Sequence, residues 1–202
     1  SRVDAELVQP QEALAALGYL ADLADSSRFW GDPDEVRRDR QAEVYALLVM
    51  ATGCRHNEIA GLRFKDLLAH PEAMVVLARP SRYRRLKTQA ARRLVDCTRR
   101  LSRLQRRTVS DWVEAEKSRL AKSWKPTLPI FADLAATGTR TPQTSLRDSV
   151  LTALRAPTGV RSKVHRLRHL VATEDLAELW LSDSDWDEIR RSRAQVRRFC
   201  RS

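Results

Sequence analysis

Apolar residues recur at helical spacing along most of this chain, and one short stretch alone, Met74 to Ala78, is apolar and β-branched enough to stand out as a strand. That balance restricts the fold to a mainly α domain with a small antiparallel β-sheet. Glu6 to Leu23 places Leu7, Leu14, Leu17 and Leu20 on one face, with Pro10 tolerated near a helix start. Turn chemistry in Trp30-Gly31-Asp32-Pro33 predicts a loop from Ser26 to Pro33. Glu35 to Thr52 is an amphipathic helix that stops at Gly53, a residue suited to a C-cap, and Asn57 to Leu62 is a short second helix.

Met74 to Ala78 is expected to be the first strand, and Arg82 to Cys97 to hold two more around Gln89-Ala90. Helix resumes from Arg99 to Lys122. Loops at Lys125 to Pro129 and Thr137 to Pro142 bracket an apolar island, Ile130-Phe131. Further helices are expected at Ser145 to Leu154, ended by Pro157 to Gly159, at Lys163 to Trp180 and at Asp185 to Phe199. No internal repeat or low-complexity linker divides the 202 residues, so the chain reads as one domain, long enough to bury a core.

Charge narrows the partners. The net charge is +11, and Arg79 to Arg107 contains twelve basic residues and one acid, Asp96, so this segment alone accounts for the excess. A solvated basic face is the plain reading of a charge run. A single segment that holds the whole surplus, mostly as arginine, favours a polyanion instead, because the planar guanidinium matches phosphate oxygens with paired donors. The tail is split by sign: Glu174 to Glu188 has seven acids and no base, and Arg190 to Arg201 has six arginines and no acid.

Cys54, Cys97 and Cys200 are widely spaced and odd in number, which argues against a disulfide framework or a zinc site and fits a reducing cytosol. No stretch reaches the roughly 18 apolar residues of a membrane span. Abundant Ala, Arg and Leu suit a GC-rich bacterial genome.

Three segments carry candidate chemistry. In Thr52-Gly53-Cys54-Arg55-His56-Asn57-Glu58-Ile59-Ala60-Gly61-Leu62, Arg55 occupies the turn between two helices. Glu58 lies three residues on, where it can hold the guanidinium or cap the helix start. Lys87-Thr88-Gln89-Ala90-Ala91-Arg92-Arg93 sits at the expected hairpin turn, where Lys87 is either a solvated turn residue or a mobile ammonium. His165-Arg166-Leu167-Arg168-His169 opens a helix, with His165 and Arg168 on one face and Leu167, Leu170 and Val171 on the other.

In this order and combination the segments resemble the catalytic domain of the tyrosine recombinase, or phage integrase, family, across about Leu47 to Thr173. The T-G-x-R-x-x-E box, the K-T-x-x-x-x-R hairpin and the H-x-L-R-H helix all follow the family pattern, with Ile130-Phe131 between the last two. The resemblance implies a DNA breaking-rejoining fold and site-specific strand exchange through a 3′-phosphotyrosyl link, with no metal ion or other cofactor. It implies that Arg55 and Arg168 grip the scissile phosphate, that His165 supports proton transfer and that Lys87 protonates the 5′-oxygen leaving group. Glu58 would orient Arg55, and Arg82, Arg84, Arg85, Arg92 and Arg93 would contact the DNA backbone. The implied partners are double-stranded DNA and further recombinase subunits, as a homo-oligomer (a tetramer) on DNA, in a bacterial cytoplasm at the nucleoid and on no membrane.

The pattern departs from the family at the nucleophile. The tyrosines are Tyr19, Tyr45 and Tyr83, all before Arg168. The expectation is a chain cut short of its nucleophile and lacking the preceding helical clamp domain. The alternative is a degenerate site in a DNA-binding regulator on the same fold. A type IB topoisomerase and an unrelated basic helical nucleic-acid-binding protein stay open as further readings.

Overall fold

The computed structural model describes residues 10–83, 92–133, 139–140 and 143–158. They form a mainly helical domain with a small three-stranded antiparallel sheet. The helices are α1 (Pro10–Trp30), α2 (Pro33–Thr52), α3 (His56–Ala60), α4 (Arg103–Leu120) and α5 (Gln143–Thr158). The sheet is formed by β1 (Leu67–His70), β2 (Ala73–Ala78) and β3 (Arg93–Asp96) in that order, and β4 (Ala132–Asp133) pairs with β5 (Thr139–Arg140) as a two-residue ladder.

Helix α2 is the centre of the domain. Asp32 caps its start by accepting from the backbone N–H of Asp34 and Glu35, and Pro33 supplies a φ already suited to the first turn. Every residue from Gln41 to Val49 is buried, because α1, α4 and α5 pack around it. The sequence pattern describes an amphipathic helix here, yet Gln41 and Glu43 are buried with the apolar residues. Glu43 keeps a partner in Arg40, which also reaches Asp25 on α1 at 2.6 Å. The core also takes in Ala13, Ala16 and Leu20 from α1, Val109, Trp112 and Val113 from α4, and Leu146, Val150 and Ala153 from α5.

Several boundaries differ from the sequence reading. Helix α1 continues through Ser26 and ends at Trp30, so the expected Ser26 to Pro33 loop shrinks to Gly31 and Asp32. The Ser27 hydroxyl donates to the Ala24 carbonyl at 3.2 Å, and the Gly31 N–H closes the last turn on Ser27 O at 2.7 Å, so the serines continue the helix. The strand at Met74 to Ala78 exists but is the second of the sheet. β1 was not legible, since Leu-Leu-Ala-His has no alternation and is held by its register, Leu67 against Val76 to His70 against Ala73.

β3 is the one strand described within Arg82 to Cys97, and it returns antiparallel along β2, with Ala78 opposite Arg93 and Val75 opposite Asp96. Residues 84–91, including Gln89-Ala90, lie outside the described residues. Helix α4 begins at Arg103, not Arg99, because Ser102 and Gln105 form a reciprocal capping box. Helix α5 runs on to Thr158, past Leu154 and through Pro157. The expected helices at Lys163 to Trp180 and Asp185 to Phe199 lie outside the described residues.

Ile130-Phe131 is fully buried, as an apolar island between loops should be. The segment before it is stitched to the end of the α3 region: Phe64 N–H donates to Leu128 O at 3.1 Å, and Ile130 N–H to Leu62 O at 2.8 Å. Phe131 then stacks on Trp112, with centroids 5.3 Å apart, and meets Tyr45 edge-on at 5.6 Å. Among the described residues no helix is long and apolar enough to cross a membrane.

Candidate functional site

The end of α2 sets the site's geometry. Gly53 adopts a left-handed backbone, φ 58°, and its N–H returns to Val49 O at 3.1 Å. Thr52 Oγ1 donates to Leu48 O at 2.7 Å and accepts from Cys54 N–H at 3.0 Å, so the turn after the helix is held on both sides. Arg55 is delivered in extended conformation as the residue before α3.

Glu58 then acts twice on Arg55. Its carboxylate accepts the Arg55 backbone N–H at 2.9 Å and lies 3.2 Å from the guanidinium Nη1. An arginine side chain has no acceptor, so this is the glutamate half of a capping box combined with an ion pair. The same carboxylate, only 2% exposed, receives Arg93 Nη2 from β3 at 3.5 Å, and Arg93 also donates to Cys54 Sγ at 3.2 Å. Arg93 reaches inward because it faces the same side of the sheet as Val95, whose partner Val76 is buried. Both arginine side chains stay about one third exposed, at 39% for Arg55 and 32% for Arg93. The result is two partly solvated cations fixed around one buried anion, a local surplus of positive charge presented toward solvent.

Sequence reading assigned Arg93 to the DNA backbone and Glu58 to Arg55. The structure brings all three together. Arg82 is exposed and its guanidinium lies over the Tyr83 ring, 4.6 Å from the centroid, with a hydrogen bond to the phenol oxygen. Arg92, at the approach to β3, is exposed. Lys87, His165, Arg168, Arg84 and Arg85 lie outside the described residues.

The basic segment is not all free surface. Arg106 is buried and donates to the carbonyls of Pro71, Thr98 and Leu101, tying α4 to the β1–β2 turn and to the chain after β3. Arg79 bonds Asp66 at 2.6 Å, sharing that carboxylate with Arg63. Burial opposes ionisation of Asp66, but the hydrogen bonds and charges of Arg63 and Arg79 outweigh it and hold the carboxyl below its ordinary range. Arg100 donates to Ala51 O at 3.2 Å, joining the turn after β3 to the last turn of α2. Part of the charge run therefore serves the fold.

Sequence reading also missed the pair formed by Tyr45 and His56. The phenol of buried Tyr45 hydrogen-bonds His56 Nδ1, and the rings meet edge to face at 5.6 Å. Burial pushes the phenol well above its ordinary value, so it stays neutral. The two residues are on separate helices across the Gly53 turn, and no periodicity links them. The thiol of Cys97 is likewise pushed up by burial, to about 12, which marks it as an inert core group. Among the described residues no group of three or more His, Cys, Asp or Glu side chains gathers as a metal site.

Comparisons with protein families, with characterised proteins and with solved structures return no match to this chain.

Proposed function

We propose that this chain is a phosphate-gripping domain of the tyrosine recombinase type, acting on double-stranded DNA in site-specific recombination or integration. The observation that carries this reading is the shared use of Glu58 by Arg55 and Arg93 at the Gly53 turn. A scissile phosphate needs fixed donors that stabilise developing negative charge without rearranging, and a guanidinium already held by a buried carboxylate meets that need. Arg55 is the electrophilic residue of the cluster, Glu58 its orienter, and Arg93 the second cation beside it. Arg82 and Arg92 extend the positive surface as backbone contacts. By the resemblance of their segments, Lys87, His165 and Arg168 complete the constellation. Cleavage would be metal-independent and pass through a 3′-phosphotyrosyl intermediate, within a DNA-bound oligomer.

A second reading, a DNA-binding regulator without catalysis, is favoured by the tyrosines themselves. Tyr45 is fully buried and engaged with His56, and Tyr83 lies beneath Arg82.

One experiment separates the readings. The full-length gene product is incubated with a nicked duplex that traps covalent adducts, and binding is followed by fluorescence anisotropy. A denaturant-resistant adduct that Arg55→Ala abolishes supports strand exchange. Salt-sensitive binding with no adduct supports the regulator. Absence of duplex binding overturns both.

A further inference from the structure

We infer that the face formed by α1, α2 and α5 is a docking groove for a cationic amphipathic helix of a partner protein. A groove of about 370 Å³ opens there, its floor made by Tyr19, Leu20 and Leu23 of α1, its charged lining groups being Asp39 of α2 and Asp148 of α5. Tyr19 and Leu23 are 38% and 39% exposed, and the apolar surface does not stop at the groove. Trp30 lies seven residues after Leu23 and eleven after Tyr19, which returns it to the same stripe of α1. It is 91% exposed, the most exposed large apolar side chain among the described residues, and Phe29 beside it is 79% exposed. Eleven residues of helix span about 16 Å, the length of three turns of a helical ligand.

Charge decides the class of occupant. The chain carries eleven more bases than acids, yet the charged groups among the described residues that line this groove are carboxylates. Asp148 is mostly exposed and meets Arg147 of its own helix at 3.4 Å, so Asp39 is the carboxylate that a neutral or acidic helix would leave desolvated. A basic amphipathic helix supplies a cation to Asp39 and a second one to the exposed side of Asp148, lays its apolar side on Tyr19 and Leu23 and covers Trp30, an arrangement of apolar anchors with a charged rim. The face is distinct from the Arg55–Glu58–Arg93 cluster and does not depend on the chain binding DNA.

The test uses a synthetic 18-residue Leu/Lys amphipathic helix labelled with a fluorophore, and the same design with Glu in place of Lys as control. Because the protein carries a net charge of +11, nonspecific electrostatics repels the Lys peptide, and its binding has to come from this face. The expected result is micromolar binding of the Lys peptide alone, weakened at least about tenfold by Asp39→Lys with Asp148→Lys. Trp30→Ala, at a site with no packing role, gives a similar loss with unchanged thermal unfolding, and Arg55→Ala leaves binding as it was. Equal binding of both peptides, or binding indifferent to Asp39, Asp148 and Trp30, overturns the proposal. Self-association of the chain that Leu23→Glu abolishes also overturns it, in favour of a second copy.

Discussion

Arg55 and Arg93, 38 residues apart in sequence, share the carboxylate of Glu58, at 3.2 Å from one and 3.5 Å from the other. One arginine arrives through a turn after a helix and the other from a strand, so the shared anion links the helical layer to the sheet. Glu58→Gln removes the anion and leaves two guanidiniums facing each other. Stripping one partner from a fully buried pair costs about 3–5 kcal/mol, and the partial solvation of both arginines lowers the expected loss to about 2 kcal/mol. Urea unfolding measures it. Arg55→Ala and Arg93→Ala should be non-additive in the same assay, since each loosens the carboxylate that the other uses.

The exposed and buried arginines of the basic segment should separate in a binding titration. Arg82→Ala and Arg92→Ala each lower the salt slope of duplex binding by about one, with stability unchanged. Arg106→Ala behaves in the opposite way. It leaves one buried and two part-buried carbonyls without this donor, destabilises the domain by about 2–4 kcal/mol, and leaves the slope unaltered at temperatures where the variant is folded. A slope that changed for Arg106 and not for Arg82 would reverse the assignment.

Gly53→Ala puts a Cβ on a left-handed residue and should cost about 1–2 kcal/mol in thermal or urea unfolding. The strain falls two residues before Arg55. A loss of duplex affinity in the folded variant would show that the turn, and not only the guanidinium, positions the cation.

Acid stability should be governed by Asp66 and Glu116. Burial opposes ionisation of each, and the arginine pairs outweigh it: Arg63 with Arg79 for the first, Arg37 with Arg119 for the second. Both carboxyls are therefore lowered from ordinary values of 3.8 and 4.5, so the unfolded chain takes up their protons first. Their stabilisation is complete above about pH 5 and is lost as pH falls through the ordinary values toward the folded ones. Asp66→Asn flattens this loss in a series of urea midpoints. Glu43 works in the other direction: burial raises its carboxyl despite Arg40, so the folded state gains its proton first. Glu43→Gln removes that offset and steepens the acid decline.

Local chemistry fixed the parts of this protein that a few neighbouring residues decide. The stop of α2 at Gly53, the short helix after Arg55, the strand around Val76, the burial of Ile130-Phe131 and the Arg55–Glu58 pairing all follow from spacing, capping and hydropathy within a few residues. Helix α1 runs past its expected end at Leu23 because the turn chemistry of Trp30 to Pro33 marks only where the helix stops, and Ser27 bonds back along the helix before it. Strand β1 escaped notice because its four residues gain their order from β2. What only the tertiary structure decided is which charges of the basic segment are spent on the fold and which face outward. Arg93 and Arg106 look alike in sequence to Arg82 and Arg92. The pairing of Arg93 with Glu58 and the anchoring of Arg106 on Pro71 O each join residues 35 apart, and such pairings have no period for a sequence to display.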